Sequence, residues 1–178
     1  MHRIAEALGL EDSGTKDDLY RRVYREVGYR EGWLRPLPDA TERVTKLLVL
    51  PFIEWYPIRA KGEYERDYYG AFESEMVELF GEEHVHPEYP IAHGNTLKID
   101  FHVGRPQQPG VGVEFKRPGS NGELQRALGQ MDQYLATYRE NLVVVLIPDA
   151  LSRAQEILFL DALQAKAITT VIKRHPSS

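Results

Sequence analysis

Two short stretches, residues 97–103 and 111–116, alternate apolar and polar side chains with a period of two: Ile99, Phe101 and Val103 in the first, Val111, Val113 and Phe115 in the second. That spacing predicts a pair of β-strands whose other face carries Asp100, Glu114 and Lys116. Upstream, Tyr69, Phe72, Met76, Leu79 and Phe80 recur at helical spacing, which predicts a helix over 65–80 stopped by Gly81. Residues 84–91 read as an edge strand, because Pro87 and Pro90 have no N–H to give a central ladder. Downstream, Leu124, Ala127, Leu128, Met131, Tyr134 and Leu135 form one stripe of a helix over 123–138. A continuous apolar strand over 142–148, a helix over 151–166 and a strand over 168–173 follow. The predicted order is helix, three strands, helix, strand, then one more helix and strand.

The first 36 residues follow a different pattern. Helical spacing at 4–8 and 16–29 is broken by the turn-rich run Gly9, Leu10, Glu11, Asp12, Ser13, Gly14, Thr15, with Thr15 placed to cap the second helix. The proline-stiffened run 33–38 marks a boundary. Beyond it a helix starts at Asp39 and extends to about Ile53, with Pro51 and Pro57 ending or kinking it. The expected organisation is a small helical segment over 1–36 and an α/β domain over 37–178.

Composition narrows the chemistry. The chain has 178 residues, enough for one core and a small appendage, with 28% charged and 42% hydrophobic residues, the profile of a water-soluble globular protein. Its longest apolar run, 142–147, is far short of a membrane span, and its N-terminus lacks the apolar core of a secretory signal, so a cytoplasmic location is expected. The absence of cysteine removes disulfides, thiolate metal sites and cysteine nucleophiles. The net charge of −5 argues against a strongly basic nucleic-acid coat but leaves local contacts open.

Asp100 and Glu114 on one strand face are the donors a hard cation such as Mg²⁺ takes, and Lys116 beside them is a donor to water or phosphate. The plainer reading is an ordinary solvated strand face. His102, two positions after Asp100, falls on the same face and is a candidate contact for a phosphate or a metal-bound water. His84 and His86 stand at i and i+2 on a strand but lack a third ligand at matching spacing for zinc.

The spacing Asp100, then Glu114-Phe115-Lys116 at the end of a valine-rich strand, resembles the Asp…Glu-x-Lys core of the PD-(D/E)XK, restriction-endonuclease-like nuclease superfamily. Gln130 and Tyr134 on the following helix resemble the Gln-x-x-x-Tyr element of one of its branches. Together they cover roughly residues 64–148. The resemblance implies a mixed sheet flanked by helices, an αβββαβ core, with metal held by Asp100, Glu114, the carbonyl of Phe115 and Glu73 of the first core helix, Glu75 being the alternative. It implies catalysis by Asp100, Glu114, Lys116, Gln130 and Glu73, with Mg²⁺ as cofactor and Mn²⁺ able to substitute. The substrate implied is DNA, with RNA as the second choice, and the protein implied is an endonuclease, acting as a homodimer or as the nuclease subunit of a defence or repair complex.

The segment Leu8-Gly9-Leu10 to Ser13-Gly14-Thr15-Lys16 is similar to the SAP-type helix-extended-helix motif, many members of which bind DNA. Lys16, Arg21 and Arg22 there, with Arg117, Arg126 and Tyr134 in the α/β domain, are the expected nucleic-acid contacts. The alternative for the whole chain is a catalytically inactive nuclease-fold module that binds nucleic acid or a partner protein.

Overall fold

The computed structural model describes residues 5–6, 8–11, 13–15, 18–19, 22–23, 26, 46–56, 65–91 and 97–174. The chain divides into two compact units, Met1–Tyr56 and Pro57–Ser178. The boundary expected at 36/37 lies outside the described residues.

In the first unit the second helix begins as the turn residues dictate. Asp18 N–H donates to Thr15 Oγ1 at 3.2 Å, and the Asp18 carboxylate accepts in return from the Thr15 N–H at 3.1 Å and its hydroxyl at 2.7 Å. This reciprocal cap puts an aspartate where glutamate more often stands. Gly9 and Gly14 take φ of 71° and 101° on either side of the extended link. Helix α1, Lys46–Trp55, runs on through Pro51 instead of ending there. Buried Leu48, Val49, Phe52 and Ile53 hold that turn in place despite the missing N–H.

The second unit is a five-stranded mixed sheet flanked by helices. Its elements are α2 (Tyr69–Phe80), β1 (Val85–Pro90), β2 (Lys98–Val103), β3 (Val111–Lys116), α3 (Asn121–Tyr138), β4 (Leu142–Leu146), α4 (Arg153–Ala165) and β5 (Thr169–Ile172). Spatial order is β1-β2-β3-β4-β5. β1–β2 and β2–β3 are antiparallel, whereas β3–β4 and β4–β5 are parallel and joined through α3 and α4. The proline-bearing strand lies at the edge, as its missing donors require. Among the described residues no helix is long and apolar enough to cross a membrane.

Both faces of the sheet are covered, which overturns the plainer reading of an ordinary solvated strand face. On one side Phe72 of α2 meets Phe101 and Phe115 at ring separations of 5.5 and 5.0 Å. On the other, Leu142, Val144 and Leu146 of β4 form one core with Met131, Tyr134 and Tyr138 of α3 and Phe159 and Leu163 of α4. Ile99 also belongs to this second core, so Ile99 and Phe101 lie on opposite faces and not, as alternation predicted, on one. The strand changes face at Asp100. Glu88, which the β1–β2 register sets opposite Asp100, takes a φ of 46° in the neighbouring strand.

At Gly112 the sheet lies close against Tyr138 of α3. A Cβ there would stand 2.6 Å from Ile99 Cδ1 and 2.7 Å from the Tyr138 ring. Gly112→Ala is therefore expected to cost about 1–3 kcal/mol through forced repacking, measured as a lower denaturation midpoint.

At the far edge, the buried carboxylate of Glu156 in the first turn of α4 accepts from Arg153 at 3.0 Å and from Arg174, which follows β5. Burial pushes this carboxyl up, but the guanidiniums of Arg174 and Arg153 outweigh it and hold the group below the usual carboxylate range.

Candidate active site

The β2–β3 ladder runs from Val103↔Val111 to Phe101↔Val113 and then opens. At the next pair, carboxylates replace carbonyls: Asp100 N–H donates to Glu114 Oε2 at 3.1 Å, and Phe115 N–H donates to Asp100 Oδ2 at 2.7 Å. The two acids are thereby fixed across the strand gap by each other's strand, and the opening of the ladder is where Ile99 and Phe101 part to opposite faces.

Glu114 is only 2% exposed. Lys116 Nζ lies 2.6 Å from its Oε1. The Tyr134 hydroxyl lies 3.0 Å from the same oxygen and 2.9 Å from the Lys98 carbonyl, and its single proton can serve one of the two at a time. Burial pushes the Glu114 carboxyl above the usual carboxylate range, while Lys116 and the donors from Asp100 and Tyr134 pull it down without cancelling the effect. This is a buried acid held next to a cation, with its proton affinity set by their competition.

Five of the expected site residues, Asp100, Glu114, Phe115, Lys116 and Tyr134, stand in these contacts. Asp100, Glu114 and Lys116 come together, and the Phe115 backbone joins them while its ring packs on Phe72. Gln130 stands half-buried one turn before Tyr134 on α3. Tyr134 was expected among the nucleic-acid contacts, but it is 1% exposed and bonds Glu114 and Lys98 from inside the core.

Glu73 and Glu75 are half-buried on α2, the helix covering the face opposite to Glu114, and among the described residues no three His, Asp or Glu side chains gather closely enough to hold a metal. The structure thus brings together two carboxylates, not three. Arg117 is half-buried directly after Lys116, and Arg126 is exposed on α3. Arg22 is engaged inside the first unit, donating to the Glu11 and Asp18 carbonyls at 2.6 and 3.4 Å. Lys16 and Arg21 lie outside the described residues.

His102 is not a surface contact. It is 2% exposed, bonded to the Tyr138 hydroxyl at 3.0 Å and the Arg105 carbonyl at 3.1 Å, and stacked on Tyr89 at 4.5 Å. Burial draws its imidazole below the ordinary histidine range, with the Arg105 carbonyl acting the other way. Its neutral form matches the bonds if Nε2–H donates to Arg105 and Nδ1 accepts from Tyr138, a phenol that burial keeps protonated. The period-two pattern held no signal for this, because Tyr138 comes from a helix 36 residues away.

The donor chemistry fits a hard divalent cation. Mg²⁺ is commonly held by one or two carboxylates plus substrate oxygens and water. Asp100 and Glu114 are carboxylate donors held together where β2 and β3 separate.

No protein-family model matches the chain, and no curated protein does. Among solved structures it is similar to a repair endonuclease from Pyrococcus abyssi, at 18% identity and a TM-score of 0.37. The match covers 66% of this chain and 50% of that one, so the chain spans about half that protein's length. Resemblance at this distance assigns no function, which has to come from the site.

Proposed function

We propose that the protein is a metal-dependent nuclease that hydrolyses phosphodiester bonds, in DNA before RNA, at Asp100, Glu114 and Lys116. The observation that carries this reading is the convergence of the two acids and the lysine at the point where β2 and β3 part. The element order helix, three strands, helix, strand around it supports the restriction-endonuclease-like core that the Asp…Glu-x-Lys spacing suggests.

Asp100, Glu114 and the Phe115 carbonyl would hold Mg²⁺, which when bound polarises the phosphate and lowers the pKa of water. The protein's own groups do the rest. Lys116 offsets negative charge at Glu114 and can donate to a water or a phosphate oxygen from the same position. The two strand-crossing N–H donors fix the carboxylates before substrate arrives, so little reorganisation remains for the reaction. Tyr134 holds Glu114 from behind, a positioning role.

The testing experiment incubates wild-type protein and Lys116→Ala with labelled single-stranded, duplex and branched DNA and with RNA, in Mg²⁺, Mn²⁺ or EDTA. Cleavage that requires the metal and disappears in the variant is expected, and the substrate cut fastest names the class. Failure of wild type to cut any of them argues for a binding module instead.

A further inference from the structure

The parallel strands β3, β4 and β5 end at one rim of the sheet. Ile147 N–H donates to the Lys116 carbonyl and Lys173 N–H to the Leu146 carbonyl, both at 2.8 Å, so Lys116, Leu146 and Ile172 lie side by side across it. Helices α3 and α4 both begin at this rim, capped by Ser120 and Ser152 and joined by a 2.8 Å bond from Gln155 Nε2 to Asn121 Oδ1. In open sheets of this kind, ligands lie outside the carboxyl ends of the strands.

At the β5 end of this rim stand two guanidiniums. Arg153 and Arg174 share one oxygen of Glu156, whose side chain is 4% exposed, while their own are 72% and 53% exposed. One buried carboxylate fixes two cations and neutralises one, leaving a net positive pair with donors turned to solvent. Leu146 pairs Lys116 on one side and Ile172 on the other, so Lys116 and the strand leading to Arg174 share a face across β4. Strand spacing makes the distance from β3 to β5 about 10 Å. Of the acidic side chains close in sequence to this rim, Glu123 is bonded to the Gly119 N–H at 2.6 Å, and Asp149 is exposed.

We propose that Arg153 and Arg174, held by Glu156, form a clamp for a backbone phosphate of the nucleic-acid strand, a few nucleotides from the bond cut at Lys116. The clamp rests on the nuclease reading and extends it: it gives the substrate a direction, along the rim from β3 to β5, and makes the enzyme favour polynucleotides over small phosphodiesters. Arginine suits the task because its planar fork meets a phosphate with two donors while a third holds Glu156.

The test compares wild type, Arg153→Gln and Arg174→Gln in three assays. Binding of fluorescein-labelled DNA in EDTA is followed by anisotropy across a salt series. Steady-state cleavage of the preferred substrate gives KM and kcat. Hydrolysis of bis(4-nitrophenyl) phosphate reports the active site with no flanking phosphate. Each substitution is expected to weaken DNA binding about tenfold and reduce the slope of log affinity against log salt by about 1. KM should rise with kcat retained, and small-diester hydrolysis should not change.

Because Arg174 also ties the end of β5 to α4, thermal melts accompany the series, and Arg153, largely solvent-exposed, decides the matter if Arg174→Gln unfolds. Wild-type affinity and salt slope in Arg153→Gln overturn the clamp while leaving the nuclease reading intact. A wild type that neither binds nor cuts any nucleic acid overturns both.

Discussion

Replacing Lys116 by methionine is expected to abolish cleavage and also to destabilise the protein in a pH-dependent way. Glu114 is buried, and Lys116 is the cation at 2.6 Å that opposes its desolvation. Removing one partner of a buried pair costs about 3 kcal/mol, because the remaining charge has no compensation. The sign follows from linkage. The folded-state pKa of Glu114 already lies above its unfolded value, and loss of Lys116 raises it further. A raised folded pKa gives stability that is present below the unfolded pKa and lost as pH rises through the folded one. The deficit of Lys116→Met against wild type should therefore be small near pH 4 and grow towards neutrality. Thermal melts of both proteins in EDTA from pH 4 to 8 measure it, and a deficit of the same size at every pH would show that Lys116 supports the fold by packing alone.

Asp100→Asn is expected to lose activity to a similar degree but little stability. The asparagine oxygen can still accept the Phe115 N–H that Asp100 Oδ2 takes at 2.7 Å, so the junction of β2 and β3 should survive. What disappears is the negative charge, half of the pair of carboxylates proposed to hold the cation. A metal-assisted step weakened by several kcal/mol falls on the order of a thousandfold. Single-turnover cleavage gives the rate, calorimetry with Mn²⁺ the metal affinity, and a melt the stability. A variant that binds the metal and cuts as the wild type does would remove Asp100 from the site.

The sequence carried the site's two acids and lysine because strand periodicity and a short spacing are both local. Asp100, Glu114 and Lys116 could be placed on adjoining strands from alternation alone, and the edge position of β1 followed from Pro87 and Pro90. Other features depend on what packs against those strands. Alternation assigned Ile99 and Phe101 to one face, but it has no means to register a ladder that opens at Asp100. It read His102 as a contact for a phosphate or a metal-bound water because the pattern does not show that Tyr138 arrives from α3 to cover it. Tyr134 matched a recognisable element, yet only the fold shows its hydroxyl turned inward to Glu114. Glu73 lies on a helix that packs on the other face of the sheet, a fact of tertiary arrangement that its position after Phe72 does not encode. Arg174 and Glu156, eighteen residues apart, had no motif to join them.

The most direct test of the central claim sets wild type and Asp100→Asn side by side in single-turnover reactions on the preferred polynucleotide, with Mg²⁺ and with EDTA. Cleavage by the wild type should need Mg²⁺ and fall about a thousandfold in the variant, with melting curves that nearly superimpose. Equal cleavage by the two proteins, or cleavage that persists in EDTA, would contradict it.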